Sequence, residues 1–185
     1  GTNAQVVLYE SPIEHDPFAL KTWKDETGRC TTVFPGNFAH LRAGSRTRWI
    51  TPADDNFGFA RWAQEQAETL WKLGPGRHYG EWWGSGIQRG YGLTHGDKRF
   101  SLFNTHKWNA ENVPEGLYVV PTLYTGLFST EAVSTQIERL RTLGSGAAPG
   151  FNKPEGVVIW HVHASQYFKV TLEKDQLPKK MSKSA

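Results

Sequence analysis

In "HYGEWWGSGIQRGYG", residues 78–92, a single acid, Glu81, stands among bulky rings and just ahead of closely spaced glycines. Glycine at the end of a strand lets a ligand approach the backbone, and a carboxylate there can accept hydrogen bonds from ribose hydroxyls. A tight bend in which Glu81 pairs with an arginine fits the same residues. "SRTR", residues 45–48, puts Arg46 and Arg48 two apart, on one side of an extended segment. Their planar forks suit phosphate or carboxylate, although a solvated surface pair reads the same way. "KRFSLFNT", residues 98–105, sets Phe100 and Leu102 on one strand face and Phe103 opposite, where a ring either stacks on a base or fills core.

Two further charges interrupt apolar strands. Glu155 opens "EGVVIW" and Lys169 sits inside "YFKVTLEKD". Flanked by buried residues, each is expensive unless it is paired or serves a ligand. A metal-bound nucleotide would satisfy both, the carboxylate through Mg²⁺ and the lysine at a phosphate. His161 and His163 lie on one face at strand spacing, but two histidines do not complete a metal site, and a structural role is the simpler reading. At the start of the chain, Gly1, Thr2 and Asn3 have turn or cap chemistry ahead of the strand-forming Val6 to Tyr9.

The elements that position these residues follow from periodicity. Phe59, Trp62, Ala63, Ala67, Leu70 and Trp71 form one helical stripe over 56–73, with Asp54 and Asp55 at its positive end and Gly74-Pro75 stopping it. A second helix is predicted over 130–143, with Val133, Ile137, Leu140 and Leu143 on one face, Ser129 as cap and Gly144 closing it. Strands are predicted over 4–9, 31–34, 78–82, 100–105, 117–123, 156–161 and 167–172. Strands outnumber helices and are joined mostly by loops or hairpins, so the expected class is α+β, antiparallel sheets with helices packed outside.

Composition narrows the class further. The 185 residues are 38% hydrophobic and 21% charged, with no apolar run near the roughly 20 residues of a membrane span and no signal-peptide pattern. A soluble, intracellular protein is expected, cytoplasmic and without a membrane partner. Cys30 is the only cysteine, which excludes an internal disulfide or a cysteine cage for zinc and reads as a small packed side chain. A net charge of +3 suits an anionic partner without identifying nucleic acid. The eight tryptophans fill a sheet-rich core or stack on flat ligands. No repeat or linker divides the chain, so one unit is preferred, with two small lobes possible and a frayed basic tail over 176–185.

The order of "GTN", "SRTR", "TPADDNFGF", "YGEWWGSGIQRG", "RFSLFN", "EGVVIW" and "FKVTLE" resembles the ATP-dependent RNA ligases of the covalent nucleotidyltransferase superfamily, in the bacteriophage double-strand-repair branch. The resemblance covers about residues 1–175 and implies an adenylylation domain with an ATP-grasp-like nucleotidyltransferase fold. In that family a lysine attacks the α-phosphate of ATP to give lysyl-AMP, the AMP passes to an RNA 5′-phosphate, and a 3′-hydroxyl displaces it to seal the strand. A free lysine, with a pKa of roughly 10.4, is protonated, so the attacking amine must be held near phosphate and metal.

Carried over by position, the resemblance makes Gly1 the last residue of the K-x-D/H-G nucleophile motif, with Thr2 and Asn3 following it in the pocket. Arg46 then meets ribose or the leaving phosphate, Glu81 holds the ribose hydroxyls, and Phe103 stacks on adenine. Glu155 becomes the metal-linked carboxylate for Mg²⁺ or Mn²⁺, and Lys169 the phosphate-binding lysine of the last motif. The nucleophilic lysine is expected just ahead of Gly1. Thr171 stands where a second lysine is common and Asn104 where an aspartate is, so contacts there differ. With little chain after Lys174, any grip on RNA ends, nicked or single-stranded, is expected from this domain, helped by Arg89, Lys98, Arg99 and Lys107. The rival readings are a pseudo-ligase that binds nucleotide or RNA without chemistry, and a DNA ligase or capping-type transferase. Labelled ATP against GTP, with RNA and DNA nicks, separates the last two from an RNA ligase.

Overall fold

The structure, a computed structural model, describes residues 1–24 and 38–172. Cys30, the strand expected over 31–34 and the tail over 176–185 lie outside the described residues. The chain divides into two compact units, Gly1–Val120 and Pro121–Ala185.

The first unit is built on a mostly antiparallel sheet. Its described strands are β1 (Thr2–Ser11), β2 (Lys21–Lys24), β3 (Phe38–Ser45), β4 (Trp49–Ile50), β5 (Gly76–Gly84), β6 (Lys98–Leu102) and β7 (Tyr118–Val119). They run in the order β2-β3-β1-β5-β6-β7, with β4 on the outer edge of β3 and only the β6–β7 pair parallel. β1 pairs along nearly its whole length with β3 on one side and β5 on the other, Val6 lying opposite both Ala43 and His78. Alternate residues of a strand face opposite ways, so Ala4, Val6 and Leu8 meet Leu41, Ala43, Trp82, Phe100 and Leu102 in one core. Two short helices, α1 (Phe59–Glu65) and α2 (Ala67–Trp71), close that core. Phe59 packs at a tilt against the rings of Trp82 and Phe100 at 5.3 and 5.0 Å, and Trp62 lies 4.9 Å from Trp82.

The helix expected as one piece over 56–73 is thus two, broken at Gln66 (φ −94°, ψ 16°). The stripe survives the break, since Ala63, Ala67 and Leu70 are all buried. Asp55 does serve the positive end, accepting from the amides of Ala60 (2.7 Å) and Arg61 (3.1 Å), while Asp54 pairs with Arg48 instead. The strand expected over 117–123 shrinks to Tyr118–Val119, because Pro114 and Pro121 flank it without an amide to donate.

In the second unit, α3 (Thr130–Leu143) has the predicted bounds, with the Ser129 hydroxyl accepting from the Ala132 amide at 3.0 Å and Gly144 ending it at φ 81°. Ile137 and Leu140 are buried, whereas Leu143, expected on the same face, is exposed. β8 (Gly156–His161) and β9 (Gln166–Thr171) form a two-stranded antiparallel hairpin. No helix among the described residues is long and apolar enough to cross a membrane.

Candidate functional site

The face of the first sheet opposite its core carries the candidate site. Asn3 pairs with Glu81, Gln5 with Tyr79 and Val7 with Arg77, so Asn3, Glu81, Tyr79 and Arg77 share that face. Gly1 lies directly against Glu81: a Cβ added to Gly1 would collide with the Glu81 carboxylate. The Gly1 nitrogen donates to Gln88 Oε1 at 3.4 Å. Gln88, quoted in the sequence motif but given no role there, is thereby brought to the same corner. It takes φ +45°, a left-handed conformation unusual for a residue with a side chain. Thr2 does not share this face. It pairs with the buried Trp82, on the core side, so of Thr2 and Asn3 only Asn3 points the way Glu81 does.

Phe103 follows the end of β6. Its amide donates to the Tyr79 carbonyl at 3.0 Å, continuing the ladder in which Ser101 lies opposite Glu81, so Phe103 falls opposite Tyr79 on the same face. Phe100 and Leu102 are buried while Phe103 is 36% exposed, the division expected from alternation.

Arg46 and Arg48 are not on an extended segment. β3 ends at Ser45, whose amide donates to the Arg48 carbonyl at 2.9 Å, and the Ser45 hydroxyl accepts from the Arg48 amide at 3.3 Å. A serine side chain bonded to nearby amides favours a turn over continued strand. Arg48 is therefore drawn to Asp54, and Arg46 stands exposed at the hairpin tip. The pairing of Ser45 with Ala4 sets that tip at the Gly1 end of β1, the end that also holds Asn3 and Glu81.

Glu155 and Lys169 belong to the second unit, and their side chains are not enclosed by apolar residues as expected. They pair with each other at 2.9 Å, with the lysine 55% and the glutamate 33% exposed. β8 ends at His161, so His163 lies in the turn and not on a strand face with it. The His161 ring accepts from the Ala164 amide at 3.1 Å and holds that turn. Among the described residues no group of three or more His, Cys, Asp or Glu stands together to cage a metal. Mg²⁺ is commonly held by one or two carboxylates together with substrate phosphates and water; the Glu155 carboxylate would have to release the Lys169 ammonium to serve in that way.

Of the cations expected to grip RNA, Lys98 donates to the Phe57 carbonyl (2.9 Å) and Lys107 to the Leu73 carbonyl (3.0 Å), both tying loops down. Arg99 meets Asp97 at 3.3 Å and lies over the rings of Trp83 and Tyr118, and Arg89 is half-buried. Asn104 caps a turn, accepting from the Lys107 amide at 3.2 Å.

One cluster escaped sequence reasoning. Arg42 forks onto Asp16 at 2.6 and 2.7 Å, and the Tyr9 hydroxyl donates to the same carboxylate. The Tyr9 ring stacks on the buried His40 at 5.0 Å. Burial pushes the Asp16 carboxyl up, but the bonds from Arg42 and Tyr9 outweigh it and bring it from 3.8 down to about 2. Burial and the Asp16 bond raise the Tyr9 phenol from 10.0 to about 12. The available signal was the alternation in "FAHLRAGS", where polar His40 and Arg42 share one face and Ala39, Leu41 and Ala43 the other.

Compared with protein-family models, curated proteins and solved structures, the chain matches none.

Proposed function

We propose that this chain is the adenylylation domain of an ATP-dependent RNA ligase, with a nucleotidyltransferase fold whose nucleotide pocket lies on the open face of the first sheet. The observation that carries this reading is the register of β1 and β5, which sets Asn3 against Glu81, puts Gly1 at the Glu81 carboxylate and leaves the Phe103 ring on the same face. Motif residues separated by up to a hundred positions thereby share one surface. Glu81 accepts the ribose hydroxyls, Phe103 stacks on adenine, and Arg46 at the hairpin tip meets ribose or the leaving pyrophosphate. The second unit, taken by itself, offers a carboxylate suited to Mg²⁺ at Glu155 and an ammonium suited to a phosphate at Lys169, each of which would exchange its present partner for a ligand.

In the family this reading invokes, a lysine amine attacks the α-phosphorus of ATP, the P–O bond to pyrophosphate breaks as the P–N bond forms, and the –NH2 nitrogen gives up one proton and keeps the other. A bound divalent cation would supply charge neutralisation at the phosphates, and Arg46 at the hairpin tip adds to it. Sealing of an RNA strand that already carries 5′-AMP needs no attacking lysine.

The test uses the 185-residue chain with calorimetric titration of ATP and AMP and with pre-adenylylated RNA as substrate. Saturable nucleotide binding is expected. E81A should weaken it at least tenfold, and F103A by roughly the 1–3 kcal/mol of a lost aromatic stack. Absence of saturable binding, or E81A binding as well as the unmodified chain, overturns the proposal. A second reading, nucleotide binding without transfer, is favoured by the Glu155–Lys169 ion pair, which already satisfies both charges. Binding without any sealing of pre-adenylylated RNA would select it.

A further inference from the structure

Beyond Glu81, the same sheet face carries a row of rings and guanidinium groups that the nucleotide pocket does not use. Arg42 lies over Tyr9 (5.2 Å), Phe18 (5.8 Å) and Trp49 (5.4 Å). Across β1 from it, Arg77 lies over the same Trp49 at 5.6 Å and over Tyr79 at 6.0 Å, and donates to the Tyr79 hydroxyl at 3.4 Å. The two arginines differ in one respect. Arg42 is neutralised by the Asp16 carboxylate, which is only 5% exposed, whereas Arg77 is exposed and among the described residues has no carboxylate within ion-pair distance.

A guanidinium lying over ring faces is oriented by them; Arg77 gives one N–H to the Tyr79 hydroxyl and keeps others that can fork a phosphate. Tyr79 beside it is 52% exposed, enough ring surface for a flat partner to meet. Arg77, Tyr79 and Glu81 alternate along β5 on one face, so the backbone positions of Arg77 and Glu81 lie about 13 Å apart with Tyr79 midway between. Unpaired cation, exposed ring and a neighbouring nucleotide site are complementary to one kind of ligand, a nucleic acid strand with accessible base faces.

We propose that Arg77 and Tyr79 form a docking surface for unpaired nucleotides of an RNA end, Arg77 on a phosphate and Tyr79 stacked on a base. The placement of that strand beside the nucleotide pocket rests on the ligase reading, and it specifies the substrate as a single-stranded end in preference to a nicked duplex. Paired bases already stack on one another and offer Tyr79 no face; unpaired bases do.

Fluorescence anisotropy of a labelled 12-nucleotide U-rich RNA, titrated with the 185-residue chain without ATP, tests this. Saturable binding is expected, with R77A and Y79A each weakening it about fivefold to a hundredfold, the range of one lost stack or phosphate fork. Y79F should stay within about twofold, because the ring remains. R77K should recover only part of the loss, because an ammonium neither stacks nor forks. The same RNA annealed to its complement should bind at least about fivefold more weakly. Calorimetry of ATP with R77A and Y79A should match the unmodified chain. No RNA binding by the unmodified chain, R77A and Y79A binding as it does, or equal affinity for the duplex overturns the docking surface. Loss of ATP binding by the unmodified chain, with Arg77-dependent RNA binding intact, overturns the ligase reading and leaves the docking surface standing.

Discussion

The two groups of candidate residues sit on sheets of different construction. β1 and β5 lie inside a sheet paired on both sides and packed on one face, where Val6 and Leu8 are fully buried and Trp82 nearly so. A shift of β1 by one residue would expose that whole set, so burial on the core face fixes which residues stand on the open one. β8 and β9 pair only with each other, and no residue of either strand is buried; Val158 is 65% exposed, Tyr167 62% and Trp160 42%. The Asn3–Glu81 juxtaposition is therefore enforced by packing energy on the other side of the sheet. The Glu155–Lys169 juxtaposition rests on the β8–β9 ladder, in which the Leu172 amide donates to the Glu155 carbonyl at 2.8 Å, and on the pair itself, with no buried residue on either strand behind it.

Cutting the core beneath Glu81 should give the largest effect. Trp82 contacts Phe59 and Trp62 and donates its indole N–H to the Phe57 carbonyl at 3.1 Å. Trp82→Ala is expected to cost about 3–5 kcal/mol, read as a lowered urea midpoint of the chain. A comparable variant on the hairpin, Trp160→Ala, should cost well under half as much, because its ring is exposed and its main partner is Tyr167 at 4.6 Å. Equal losses at the two tryptophans would erase the distinction between the two sheets.

Acid offers a second way to sharpen it. The Asp16 carboxyl is held at about 2, below its ordinary 3.8. A depressed carboxyl contributes stability that is complete above the unfolded value and is lost as pH falls from about 4 toward 2. The shift corresponds to about 2 kcal/mol. Between pH 5 and pH 2 the unmodified chain should lose about that much more than D16N, measured as urea midpoints across pH. Parallel pH curves would remove Asp16 as the acid-sensitive tie of the first unit. Tyr9 acts at the other end of the scale: its phenol, raised from 10.0 to about 12, contributes stability that is complete below about pH 10 and is lost as pH rises toward 12.

Local signals were legible in sequence and long-range ones were not. Ser129, the apolar spacing and Gly144 fix both ends of α3, and "GVVIWH" fixes β8, because each depends on residues within a turn or two. β3 went unseen because Ala39, Ala43 and Gly44 have poor strand preference; it is a strand through its pairing with β1, β2 and β4. The glycine-rich stretch marks Glu81 as unusual, and Gly80 has a visible reason to lack a side chain, since a Cβ there would meet the Phe100 ring and the Ser101 carbonyl at 2.5 Å. That Asn3 faces Glu81 and Thr2 does not is a property of register between strands some 80 residues apart. The Arg42–Asp16 fork spans 26 residues and was equally invisible.

The smallest effect belongs to the hairpin's ion pair, where it separates structure from function. Exposed pairs contribute about 0–1 kcal/mol, so Glu155→Ala and Lys169→Ala should each move the urea midpoint by no more than that. A double variant should cost less than the sum of the singles by the coupling of the pair, roughly 0.2–1 kcal/mol. If the pair exists for stability alone, nothing else changes. If Glu155 and Lys169 serve a ligand, as proposed, the same near-silent substitutions should remove metal-dependent sealing of pre-adenylylated RNA. Full sealing by Glu155→Ala would detach the hairpin from the chemistry and leave only the Asn3–Glu81 face to carry it.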